Sequence, residues 1–145
     1  ITLADKCPSW RISATDKSID ALKIAKKNTT KDINFCQSSW FDELTGKTFD
    51  LIVTNPPYLA ENDSHLESLK YEPIEAMVSG KDGLDDIREI IQNAPKYLNQ
   101  GGYLLLEHSD RHQKEVVELL KLSFVNILTY QDLNGLDRAI LAQYL

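Results

Sequence analysis

Along the chain, short continuous apolar runs alternate with stretches of helical spacing. Arg11 to Thr15 (RISAT) predicts a strand, with Asp16 at its carboxyl end. Ile19, Leu22 and Ala25 then recur at helical spacing, and Lys23, Lys26 and Lys27 follow toward the end, where the helix dipole favours cations. INFCQ (33–37) predicts a second short strand. FDLIVT (49–54) is nearly all apolar, the pattern of a central parallel strand covered on both faces. Ile87, Ile90, Ile91, Ala94 and Leu98 mark a helical stripe, and Pro95 inside it predicts a kink or an early end. Asn99-Gln100-Gly101-Gly102 reads as a turn, YLLLEH as a buried strand, and Gln113 to Leu122 as a helix. SFVNILTYQDL and RAILAQYL flank Asn134-Gly135 and predict an antiparallel hairpin. The order β-α-β-β-α-β-α-β-β is that of an α/β three-layer sandwich. Tyr58 to about Leu84 carries no clear element, and a loop of that size is usually functional or mobile.

Composition narrows the class. A chain of 145 residues, 42% apolar and 26% charged, fits one folded domain spanning 1–145 and argues against disorder. A formal charge of −6 disfavours a protein that grips nucleic acid by neutralising many phosphates. No apolar run is long enough to cross a bilayer, and the start lacks a signal-peptide layout, so a cytoplasmic location without membrane contact is expected. Cys7 and Cys36 lie far apart and suggest neither a disulfide framework nor zinc.

The chemistry concentrates in Asn55-Pro56-Pro57-Tyr58, directly after the buried run FDLIVT. Strand carboxyl ends line the ligand crevice of an open parallel sheet. Two prolines stiffen the backbone and remove two donors, leaving carbonyl acceptors. Asn55 adds a side-chain carbonyl and Tyr58 an aromatic face. Such a turn suits a planar amide or amine, with acceptors for both hydrogens and a ring beside the plane. Fixing both hydrogens aims the nitrogen lone pair at an electrophile.

A (D/N/S)-P-P-(Y/F/W) turn after the fourth strand is the signature of methyltransferases that modify planar nitrogen with S-adenosylmethionine. FDLIVTNPPYLAENDSHL, YEPIEAMVSGKDGLDDIREI, GGYLLLEH and DLNGLDRAILAQY resemble the peptide chain release factor N5-glutamine methyltransferases, the HemK/PrmC family, from Ile1 to the C-terminus. The resemblance implies a Rossmann-like class I methyltransferase fold with a mostly parallel sheet and a C-terminal antiparallel hairpin. It implies methyl transfer to the glutamine of the GGQ motif in class 1 release factors. Asp16 would accept from the cofactor's ribose hydroxyls, with Ser39 and Trp40 beside the adenine. Asn55 would flank both cofactor and substrate, and the Asn55 side chain and Pro56 carbonyl would take the amide hydrogens. Pro57 would stiffen the substrate turn, and Tyr58 would support the amide plane. No strong base is needed, because the sulfonium is highly electrophilic.

The chain also departs from the family. The N-terminal helical domain, the first strand and the glycine-rich loop D-x-G-x-G-x-G are not present in it. It starts in what would be the family's first helix, at ITLADK. Ser39 stands where an acidic residue precedes the tryptophan, and Ser109 replaces a glycine after Glu107-His108. Other residues read more plainly. His108 and His112 lack a third ligand, so no metal is expected. Glu107 is better explained by hydrogen bonding within the fold than by substrate contact. Asp82, Asp85 and Asp86 suit capping and solvation. The alternatives are N6-adenine or N2-guanine methylation of nucleic acid, and a catalytically silent fragment.

Overall fold

The computed structural model describes residues Ile1–Leu145, which form two compact units, Ile1–Lys47 and Thr48–Leu145. No helix is long and apolar enough to cross a membrane.

The first unit contains helix α1 (Thr2–Lys6), strand β1 (Ile12–Asp16), helix α2 (Ile19–Lys27) and strand β2 (Ile33–Gln37). β1 and β2 pair in parallel, with Ile12 opposite Ile33 and Asp16 opposite Gln37. α2 crosses between them, as a parallel pair requires. Ser18 starts it by accepting a hydrogen bond from the Ala21 N–H at 3.2 Å. Its buried anchor is Leu22, 4% exposed.

The second unit is a four-stranded sheet of order β3-β4-β6-β5, built from β3 (Phe49–Thr54), β4 (Leu98–Glu107), β5 (Phe124–Gln131) and β6 (Asp137–Tyr144). β3 and β4 run parallel, and β6 lies antiparallel to both β4 and β5. The chain therefore combines parallel strands with a C-terminal antiparallel hairpin, as its pattern predicts. Helices α3 (Asp85–Asn93) and α4 (Gln113–Leu120) pack on each other, and α4 packs on β5 and β6. Alternation along β4 buries Leu104 and Leu106, and His108 just beyond its end, while β6 buries Ile140 and Ala142. Leu104 faces Ala142 and Leu106 faces Ile140 across the ladder. With Ile87, Ile90 and Val116 these residues form the core.

Three details differ from the sequence pattern. β3 lies at one end of its sheet, bonded to β4 alone, and Val53 is 49% exposed. An apolar run reports which faces can be buried, not how many neighbours bond to the strand's edges. The stripe through Leu98 is split: α3 ends at Asn93, Ala94–Lys96 form a 3-10 turn, and Leu98 opens β4. Pro95 has no N–H to extend the helix ladder. Residues 99–102 are absorbed into β4 as an irregularity between the pairs Phe49–Leu98 and Leu51–Tyr103. Gly101 takes φ +77° there, a left-handed conformation open to glycine at little cost.

His108 is the one fully buried titratable group of the core, 0% exposed. Its Nδ1 lies 2.7 Å from the Ser109 carbonyl. A carbonyl only accepts, so Nδ1 carries a proton. Nε2 has no partner. Burial, with Arg138 and His112 nearby, holds the imidazole below its ordinary value of 6.5, against an opposing contribution from the Ser109 carbonyl. The unfolded ring gains a proton as pH falls past that value while the folded ring resists it, so stability declines with acidification. Thermal unfolding compared at about pH 7.5 and about pH 5.5 should show a lower Tm at the acid end. His108→Gln should flatten that dependence. Asp63, Asp82 and Asp132 do not confuse the window, because their lowered carboxyl values shed stability only at more acid pH.

Candidate active site

In the first unit, Asp16 closes β1 and is exposed. Its Oδ1 accepts from the Ser18 N–H at 2.7 Å, which fixes the carboxylate beside the start of α2. The Asp16 carbonyl accepts from the Ser38 N–H at 3.1 Å. Ser38, 5% exposed, organises the turn after β2: its Oγ donates to the carbonyls of Ser39 and Trp40, each at 3.3 Å, and accepts from the Glu43 N–H at 3.1 Å. Asp16, Ser39 and Trp40 thus share the carboxyl end of one parallel strand pair. Ser39 is exposed and the Trp40 side chain half-buried, at a φ of +43°. The sequence singled out Asp16 and Trp40; the buried Ser38 that ties them was not legible, since a lone serine carries no pattern.

In the second unit, Asn55-Pro56-Pro57-Tyr58 leaves the carboxyl end of β3. Asn55 is exposed, Pro56 is fully buried, and Pro57 and Tyr58 are half-buried. The turn is therefore anchored at Pro56 and open at Asn55. The Tyr58 hydroxyl donates to Glu107 Oε1 at 3.2 Å. Burial first, then the Glu107 charge, pushes the Tyr58 phenol above its ordinary value of 10.0, with Arg138 acting in the opposite sense. Glu107 is thus engaged within the fold, as its sequence context suggests.

The long loop after Tyr58 returns to brace the turn. Leu59 bridges Val78: its N–H donates to the Met77 carbonyl at 2.8 Å, and its carbonyl accepts from the Ser79 N–H at 2.9 Å. Ser79, 2% exposed, donates through Oγ to Asp86 Oδ2 at 2.6 Å and accepts from the Asp86 N–H at 2.7 Å, capping the start of α3. Asp82 and Asp85 both pair with Arg88. The acidic cluster is thus capping and surface pairing. Ser109, in place of glycine, caps the turn before α4 by accepting from the Arg111 N–H at 3.4 Å. Tyr71 and Ile74 in this loop are 89% and 69% exposed.

Gly83 explains why the SGKDGLDD block accompanies the NPPY turn. It holds φ +80°, and a Cβ there would lie 2.5 Å from the Tyr58 carbonyl oxygen and 2.9 Å from His112 Cε1. The loop therefore packs backbone against backbone under the turn. Gly83→Ala should lower stability by about 2 kcal/mol or more, combining left-handed strain with the clash. Its Tm should drop by roughly 5 °C or more. A Gly83→Ala protein that melts with the unaltered one would show that the turn does not depend on this contact.

Sequence comparison extends these observations. The methyltransferase small domain profile matches residues 1–135. The chain is 39% identical over 149 residues to a release factor glutamine methyltransferase of Pseudomonas aeruginosa, covering 98% of this chain and 54% of that protein. The counterpart from Coxiella burnetii is 40% identical, covering 99% of this chain and 53% of its own length. The chain thus spans about half the length of the curated relatives it matches. Among solved structures, a methyltransferase from Pyrococcus furiosus superposes with TM-score 0.69 at 18% identity, covering 99% of this chain and 66% of that one. The N-methyltransferase NodS from Bradyrhizobium japonicum, solved with S-adenosyl-L-homocysteine, gives 0.55 at 19% identity, covering 92% and 65%. These likenesses establish the class I methyltransferase fold. The chain belongs to the methyltransferase small domain family.

Proposed function

We propose that residues 1–145 form one S-adenosylmethionine-dependent methyltransferase domain that methylates the side-chain amide N5 of the glutamine in the GGQ motif of class 1 release factors. The observation that carries this reading is the braced Asn55-Pro56-Pro57-Tyr58 turn, with Asn55 open to solvent and Pro56 locked in the core. The names of the relatives support the substrate.

The residues present fit the cofactor. Asp16 is exposed and held by the Ser18 N–H, and its carboxylate keeps lone pairs for a vicinal diol. Trp40 offers a half-open indole for adenine, and Ser39 an exposed hydroxyl for a single hydrogen bond. S-adenosylmethionine supplies an electrophilic methyl group on a sulfonium. Asn55 Oδ1 and the Pro56 carbonyl accept the two amide hydrogens. Tyr58 supports the amide plane, and the nitrogen lone pair is directed along the line of transfer. The product nitrogen then loses its extra proton to solvent.

The test incubates the protein with methyl-labelled S-adenosylmethionine, a class 1 release factor and an oligonucleotide. Label is expected on the glutamine of the GGQ peptide. Label on adenine or guanine instead would replace this reading with nucleic-acid methylation. Calorimetric titration with S-adenosylmethionine separates both from a silent fragment, which would not bind. In the active protein, Asn55→Ala should lower kcat about 100-fold with near-normal cofactor affinity, the size of a lost near-attack alignment. Unchanged turnover would remove Asn55 from the mechanism.

A further inference from the structure

The Tyr58 hydroxyl lies among charges contributed by two further strands. Glu107 ends β4 and takes the phenol hydrogen at 3.2 Å. Arg138 stands at the start of β6, and its charge acts on the Tyr58 phenol in the sense opposite to Glu107. Ladder register brings them together, because Thr54 pairs with Leu106 and Glu107 pairs with Ala139. Arg138 has supports of its own. It reaches the His108 carbonyl at 3.4 Å and Asp132 Oδ2 at 3.5 Å, and its carbonyl accepts from the His108 N–H at 3.0 Å.

We infer that Glu107, with the Arg138 charge nearby, clamps the Tyr58 hydroxyl and is a positioning residue that fixes where the ring lies against the planar nitrogen acceptor. This rests on the reading given under Proposed function. Satisfying the phenol does not require the pair, since Tyr58 is half-buried and water could serve a hydroxyl at that depth. A bond to a carboxylate anchored at the end of β4 holds the phenolic oxygen in place and so limits the swing of the ring about Cα–Cβ, as one mobile water would not. The same device fits the loop, whose backbone is pinned at Leu59 but whose ring otherwise keeps two free torsions.

Two measurements on the intact protein decide it. Ultraviolet titration of phenolate, taken as the difference between the unaltered protein and Tyr58→Phe, isolates Tyr58 from the other tyrosines. Glu107→Gln, which keeps an acceptor but removes the charge, should move that titration to lower pH. Arg138→Gln should move it to higher pH. An unmoved Tyr58 titration in both variants overturns the clamp. For positioning, Glu107→Leu should lower kcat about tenfold while KM for S-adenosylmethionine stays within about twofold. Glu107→Gln should recover most of that loss. Unchanged kcat in a folded Glu107→Leu protein overturns the positioning role, and so does an equal loss in both variants. An unaltered protein that transfers no methyl group fails the glutamine reading and the positioning role with it, while the titration still accepts or rejects the clamp.

Discussion

The second unit is organised around a backbone that cannot continue its ladder. At the end of β3, Pro56 and Pro57 remove two consecutive N–H donors and fix two φ angles, so the strand must stop and turn where the sheet's carboxyl edge opens. Burying Pro56 makes that turn a fixed point of the core. The core then holds a short polar segment, Asn55 and Tyr58, at a defined place on the sheet edge. A flexible loop carrying the same residues would have to order them at each encounter, at an entropic cost.

Bracing the turn from below makes unusual demands. Gly83 brings one backbone against another, and Ser79 caps α3 from a distance so that the loop cannot drift. Two imidazole nitrogens nearby are less comfortable. His108 Nε2 and His112 Nδ1 are both buried without a partner. Each such atom forfeits the hydrogen bond it would make to water. The fold tolerates that cost beside a site whose backbone is otherwise well satisfied, which is where local departures from optimal packing are commonly found.

The first unit solves a smaller problem with one carboxylate. Asp16 terminates β1 and anchors Ser18, the residue that starts α2. Its carbonyl also holds Ser38, so the two strand ends are joined by a hydrogen bond beyond the ladder. The carboxylate proposed to hold the cofactor is thereby pre-oriented by the start of a helix. The exposed ion pairs elsewhere, such as Lys23 with Asp20, add little beyond solubility.

The sequence by itself determined the elements and the motif. Period-2 and helical spacing are local properties, so β1, α2, β2, β3 and the terminal hairpin fall where the pattern puts them. NPPY is likewise read from consecutive residues, and the wider resemblance supplied the expected role of Asp16, which no local rule distinguishes from a helix cap. Only the tertiary structure decided what meets Tyr58. Glu107, Arg138 and Gly83 lie far from it in sequence, and their approach depends on the β3-β4-β6 register and on a left-handed glycine. It also moved Leu98 from helix to strand and put β3 at the end of its sheet. Apolar spacing encodes which face of an element is buried. Which elements bond along their edges, and in what register, follows from pairing between distant segments, whose free energy no single segment carries.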